Sequence, residues 1–306
     1  MKKLFSVFIF LILLGLSTDL FAADKVRIVT TTSTIADLVR EVAGDRAEIY
    51  YVASPKRDVH FVAPTPKDVL KVKKAQIFVH GGLDLEAWRD PLLNAAGNPD
   101  FLGDAKASID VSKGISLLEV PVSVSRAQGD IHLYGNPHYW VDPENAKIMV
   151  NNIVQGLSEI LPEDRKTFEQ NADDFNRRLD QKLKDWLTRM LSYRGTAVVV
   201  YHRSWPYFFN RFGLAEAGEL EPKPGIPPTA KHMAELIKTM KEKNVKVIIK
   251  ESFQENRTPT KIAEATGAKV VTLAQAVGEN EKAKDYISMI NYNVDQLASA
   301  FIQGSS

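Results

Sequence analysis

The chain has 306 residues, 44% of them apolar and 25% charged, with a formal charge of +1. That length suggests one large or two ordinary domains, and so small a charge leaves no basic excess to hold nucleic acid or an anionic membrane. There is no cysteine, which excludes disulfide staples, thiolate metal ligands and thiol nucleophiles.

Residues 1–23 differ from the rest. Lys2 and Lys3 precede the apolar run Leu4–Leu16, Ser17-Thr18-Asp19 breaks it, and Phe21-Ala22-Ala23 supplies small residues for cleavage. This predicts a secretory signal, too short for a spanning anchor. Its removal takes away two lysines and one aspartate and brings the mature charge to zero. With no cysteine to carry a lipid, the expected location is the periplasm.

Residues 24–161 read as a first α/β lobe. Val26–Thr32 is a β-branched strand feeding a helix from Ile35, with Ser33 or Thr34 as cap. Glu48–Ala53 is a second strand, opening into a polar loop that carries His60. Thr65 and Pro66 start a helix running to Lys74. Gln76–His80 and Ser108–Val111 are further strands. Strands alternating with helices predict a parallel sheet covered on both faces. Glu144–Leu161 is helical. Residues 162–193 then form one linking helix: Glu163–Ser192 has no glycine or proline, and Phe168, Phe175, Leu179, Leu183, Trp186, Leu187 and Met190 fall on one side. Some 30 helical residues span roughly 45 Å, enough to join two lobes.

Residues 194–306 repeat the alternation. Thr196–Tyr201 is a buried strand with His202 at its end. Leu214–Gly218 is a short strand, Thr229 caps a helix reaching Lys243, and Val245–Lys250 is a second buried strand ending at Glu251. Thr258-Pro259 opens a helix that Gly267 stops, Lys269–Leu273 is the last strand, and Asp285–Gln303 the closing helix.

Ligands of parallel sheets sit outside the carboxyl ends of the strands. His60, His202 and Glu251 occupy such places. His138 lies in Gly135-Asn136-Pro137-His138-Tyr139-Trp140-Val141-Asp142-Pro143, a loop stiffened by two prolines. No local spacing links the four, so the fold must assemble them between the lobes. Three neutral imidazoles and a carboxylate suit zinc and tolerate manganese or iron.

Several stretches carry a resemblance: Asp58-Val59-His60 with Ala63-Pro64-Thr65-Pro66-Lys67-Asp68, Gly82-Leu83-Asp84-Leu85-Glu86, Asn136 to Pro143, Tyr201-His202, and Glu264-Ala265-Thr266-Gly267-Ala268. Together they run through most of the mature chain, which resembles the zinc- and manganese-binding solute receptors of bacterial ABC importers, the ZnuA/TroA-like family. The resemblance implies two Rossmann-like lobes bridged by a long helix, metal in the cleft, and ligands at His60, His138 and His202. It also implies delivery to a membrane permease, no catalysis, and action as a monomer. A histidine at the third place resembles the zinc receptors more than the manganese receptors. Ala274 stands where the family has an aspartate ligand, so Glu251 is expected as the fourth. The loop Ser123–Gly135 holds only His132 where zinc receptors often have many histidines; His132 is expected to be solvated, His80 structural and His232 at the surface. The other readings are a secreted zinc hydrolase or lyase, a manganese- or iron-specific receptor, and an adhesin-like protein on the same scaffold.

Overall fold

The β-branched run Val26–Thr32 forms β1, the first strand of a four-stranded parallel sheet with Ala47–Ala53 (β2), Ile77–His80 (β3) and Ser108–Asp110 (β4), in the order β2-β1-β3-β4. A second parallel sheet repeats the order: Ala197–Val200 (β5), Ala215–Glu219 (β6), Val247–Glu251 (β7) and Lys269–Leu273 (β8) lie as β6-β5-β7-β8. The computed structural model describes residues 25–102, 105–121, 132–223 and 225–304. The expected signal and most of the Ser123–Gly135 loop fall outside them. Among the described residues no helix is long and apolar enough to cross a membrane.

The helices start where side chains cap them. Thr32, rather than Ser33 or Thr34, caps Ser33–Ala43 (α1) by accepting from Ile35 N, while the Thr34 hydroxyl is taken by the backbone N–H of Val277. Thr65 and Asp68 form a reciprocal capping box on Pro66–Lys74 (α2). The sequence reading does not anticipate Arg89–Ala96 (α3); its apolar side is only Leu92, Leu93 and Ala96, too short a pattern to declare a period. Asp142 caps Pro143–Ile160 (α4).

The linking helix is Arg165–Met190 (α5), 26 residues flanked by single 3-10 turns at Pro162–Asp164 and Leu191–Tyr193. Its buried stripe runs from Phe168 to Met190. It packs on α1 and α4 and, further along, on Tyr286–Gly304 (α9). Asn171 Nδ2 donates to Val42 O at 2.9 Å, and Trp186 Nε1 to Asn291 Oδ1 at 3.1 Å. The remaining helices, Pro206–Phe212 (α6), Ala230–Glu242 (α7) and Arg257–Thr266 (α8), flank the second sheet.

One hydrophobic core runs through both halves, with a smaller cluster under α7 and α8. Polar ties cross the same boundary. Trp140 Nε1 donates to Gln275 O at 2.8 Å, and Tyr286 OH to Trp140 O at 2.7 Å. Arg211 forks onto Asp142 at 2.7 and 3.0 Å. The two α/β lobes are thus held at a fixed angle, which sets the loops at their facing strand ends against each other.

Candidate metal centre

Each of three histidines is presented by a loop and fixed through its outer nitrogen. His60 sits in the 3-10 turn Val59–Phe61 after β2. Asp58 caps that turn by accepting from His60 N at 2.9 Å, and Trp88 Nε1 pins it through Val59 O at 2.7 Å. The Nδ1 of His60 faces the carbonyl of Leu85 at 3.3 Å. A carbonyl only accepts, so Nδ1 carries the proton and Nε2 the lone pair.

His138 is fully buried. Its backbone N–H and its Nδ1 both meet Asn136 Oδ1 at 3.0 Å. The amide is oriented unambiguously, because Asn136 Nδ2 donates to Glu119 Oε2 and to Arg203 O. Nδ1 of His138 therefore donates as well. Tyr207 OH donates to Asn136 O at 2.9 Å, and Tyr139 OH donates to Gly81 O at 2.5 Å, tying the stiff loop to the end of β3.

His202 follows β5, and its Nδ1 meets Glu221 Oε2 at 2.8 Å. Burial opposes protonation of His202, but Glu221, with Glu251 and Asp58 nearby, outweighs it and holds the pKa above the usual histidine value. His138 goes the other way: burial, then the neighbouring His60 and His202, push it well below.

The outcome is a cluster in which one ring nitrogen from each of His60, His138 and His202 lies within 4.8 Å of the others. Every outer nitrogen is tied to an oxygen acceptor, the arrangement by which proteins orient imidazoles toward a metal. The Nε2 atoms of His60 and His138 are 3.0 Å apart.

Glu251 stands outside this three-nitrogen group. It is fully buried at the end of β7, and its Oε1 accepts from Trp205 Nε1 at 2.9 Å, while the Ser204 hydroxyl lies beside the carboxyl. Burial pushes its pKa up to about 7 against the pull of His202. Ala274 is buried with its backbone clamped in both directions by the Asn293 amide, at 2.7 and 2.8 Å.

His132 departs from the sequence expectation. It is half-buried rather than solvated, its ring centroid 4.9 Å from that of His60 and 6.2 Å from that of His138. Sequence reasoning also missed Glu221 as the partner of His202, since a glutamate 19 residues away carries no local signal. Asn136 was detectable: an Asn two residues before a Pro-flanked histidine can fold back on its backbone N–H. His80 accepts from Arg89 Nη1 at 3.0 Å and takes no part in the cluster.

Residues 28–300 match the family model described as zinc-uptake complex component A, periplasmic. Similar curated proteins include the iron-binding protein YfeA of Yersinia pestis, 28% identical over 92% of this chain and 88% of that one. The manganese ABC transporter substrate-binding lipoprotein PsaA of Streptococcus pneumoniae is 25% identical over 92% and 90%. A crystal structure of ZnuA superposes with a TM-score of 0.77 over 90% of this chain and 99% of that one, at 24% identity, and a manganese-bound periplasmic metal-binding protein from Candidatus Liberibacter asiaticus with 0.74 over 90% and 99%, at 22%. At such identities the two structures speak for the fold. The family match over nearly the whole described chain goes further: this protein belongs to the periplasmic zinc-uptake component A (ZnuA) family of metal-binding receptors.

Proposed function

We propose that this protein captures a divalent transition metal, zinc by preference, in the periplasm and hands it to the permease of an ABC importer without chemical change. The observation that carries the reading is the convergence of three histidines whose outer nitrogens are all committed to acceptors. Two imidazole lone pairs aimed at one point 3.0 Å apart repel unless a cation lies between them. His60, His138 and His202 are the ligands in this proposal. Glu251 supplies a buried negative charge behind His202, which three neutral imidazoles cannot provide. An all-nitrogen inner set favours zinc over the oxygen-seeking ions. The names of similar proteins are divided among iron, manganese and zinc, so iron and manganese are the competing cargoes.

Metal that binds the folded chain and not the unfolded one raises stability by mass action, about 4 kcal/mol at a thousandfold excess over Kd. Chelator-stripped protein should therefore show a large rise in Tm with zinc, a smaller one with manganese and none with magnesium. Equal shifts with zinc and magnesium would overturn the reading.

A further inference from the structure

We infer that His132 is a fourth protein ligand of the same ion, so that the complete inner set is four imidazoles. This rests on the three-histidine reading above.

A strained turn lies beside the cluster. Leu83 and Asp84 both have φ in the left-handed region, at 54° and 58°. Two consecutive side-chain-bearing residues there are costly and persist only where the surroundings impose them. The turn does two things. Its Leu85 carbonyl accepts from His60 Nδ1, and its Asp84 carbonyl accepts from the His132 ring. Adjacent carbonyls of one turn thus hold two imidazoles side by side, with ring centroids 4.9 Å apart and planes inclined by 37°. The Asp84 carboxylate also accepts from the backbone N–H of Leu133, fixing the chain just after the ring.

One nitrogen of a neutral His132 is spent on Asp84, which leaves the other as a lone pair. That ring packs beside those of His60 and His138. A loop histidine held only by packing has no need of a strained turn or of a carbonyl aimed at its ring. The same device, an outer nitrogen tied to an acceptor, orients His60, His138 and His202. Zinc sites that bind without catalysing are commonly closed by four protein ligands. His132 is the one further imidazole packed on the cluster among the described residues.

The test uses the full mature chain, charged with zinc for affinity and cobalt(II) for its absorption spectrum. Two variants separate ligation from folding: His132→Ala, and His132→Gln, whose amide can still donate to the Asp84 carbonyl. Both should weaken zinc by at least about tenfold, the loss that even a supporting partner can bring. Both should also reduce the intense tetrahedral cobalt bands, while a measurable site remains. His138→Ala, as control, should abolish binding. If both His132 variants keep the parent's affinity and spectrum while His138→Ala loses them, His132 is not a ligand and the three-histidine site stands. If Ala weakens binding and Gln does not, with the spectrum unchanged, the ring only braces the loop and the inference fails. If His138→Ala binds like the parent, the three-histidine reading falls and this inference with it.

Discussion

The Nε2 atoms of His60 and His138 face each other at 3.0 Å although both rings donate through Nδ1. The approach is held from outside the pair, by Leu85 O on one ring and Asn136 Oδ1 on the other. Asn136 is itself locked to Glu119 and to the second lobe through Arg203 O. Replacing Asn136 by Ala frees the His138 ring to rotate without removing a ligand. Such partners typically command about 10- to 100-fold in metal affinity. Asn136→Ala should show a loss in that range by competition with a chelator, with a normal far-UV spectrum; unchanged affinity would mean that packing alone holds His138.

Much of the architecture was legible because its signals are local. The β-branched runs became β1, β5 and β7, Thr65 with Pro66 opened α2, and the Gly- and Pro-free stretch became α5 within two residues at each end. The three histidines were legible as strand-end and stiff-loop residues, and the resemblance reinforced them. What stayed hidden depends on contacts between distant segments. Glu221 finds His202, Leu85 O finds His60, and His132 packs on His60 only once each lobe has folded. Glu251 illustrates the limit in the other direction. Its place at a strand end was readable, but that one carboxylate oxygen would be taken by Trp205 was not.

The lobes should stay in place on metal binding. α5 has neither glycine nor proline to serve as a hinge. The core is continuous across the boundary, and the Trp140, Tyr286 and Arg211 bonds bridge it. Crystal structures of metal-free and zinc-loaded protein should superpose over both sheets to within about 1 Å, as in pre-organised complexes, with shifts confined to the loops bearing the histidines. A rigid-body closure of one sheet against the other would contradict this.

Glu86 gives a pH signature independent of the metal. It is fully buried against Thr31 Oγ1 and Gly81 N, at 2.6 and 2.8 Å, and burial raises its pKa from 4.5 to about 7. A carboxyl raised in the folded state stabilises in its protonated form. That contribution is complete below the unfolded value of 4.5 and is lost as pH rises through about 7. At about 1.4 kcal/mol per pH unit, the full loss is roughly 3 kcal/mol. Glu86→Gln keeps an acceptor oxygen and does not ionise. In denaturant titrations of metal-free protein, its stability relative to the parent should climb between pH 4.5 and 7 and then level off. A difference that is flat across this range would mean that Glu86 is already charged at low pH.

Glu251 tests how the ion's charge is balanced. Its carboxyl is buried, with one oxygen occupied by Trp205 and the Ser204 hydroxyl beside it, and burial raises its pKa to about 7. Near pH 6 it is therefore mostly protonated. A dication in the adjacent cluster favours the ionised form, so zinc entry should expel this proton in addition to those lost from the imidazoles. Glu251→Gln keeps the size and an acceptor for Trp205 but offers neither charge nor proton. It should weaken zinc by more than about tenfold, equivalent to about 1.4 kcal/mol. Calorimetry in buffers of different ionisation enthalpy at pH 6 should count close to one proton fewer released than for the parent. Loss of affinity with an unchanged proton count would show that Glu251 is ionised before the metal arrives. Parent-like affinity and proton count together would remove it from the site altogether, leaving Glu221 as the carboxylate that balances the ion through His202.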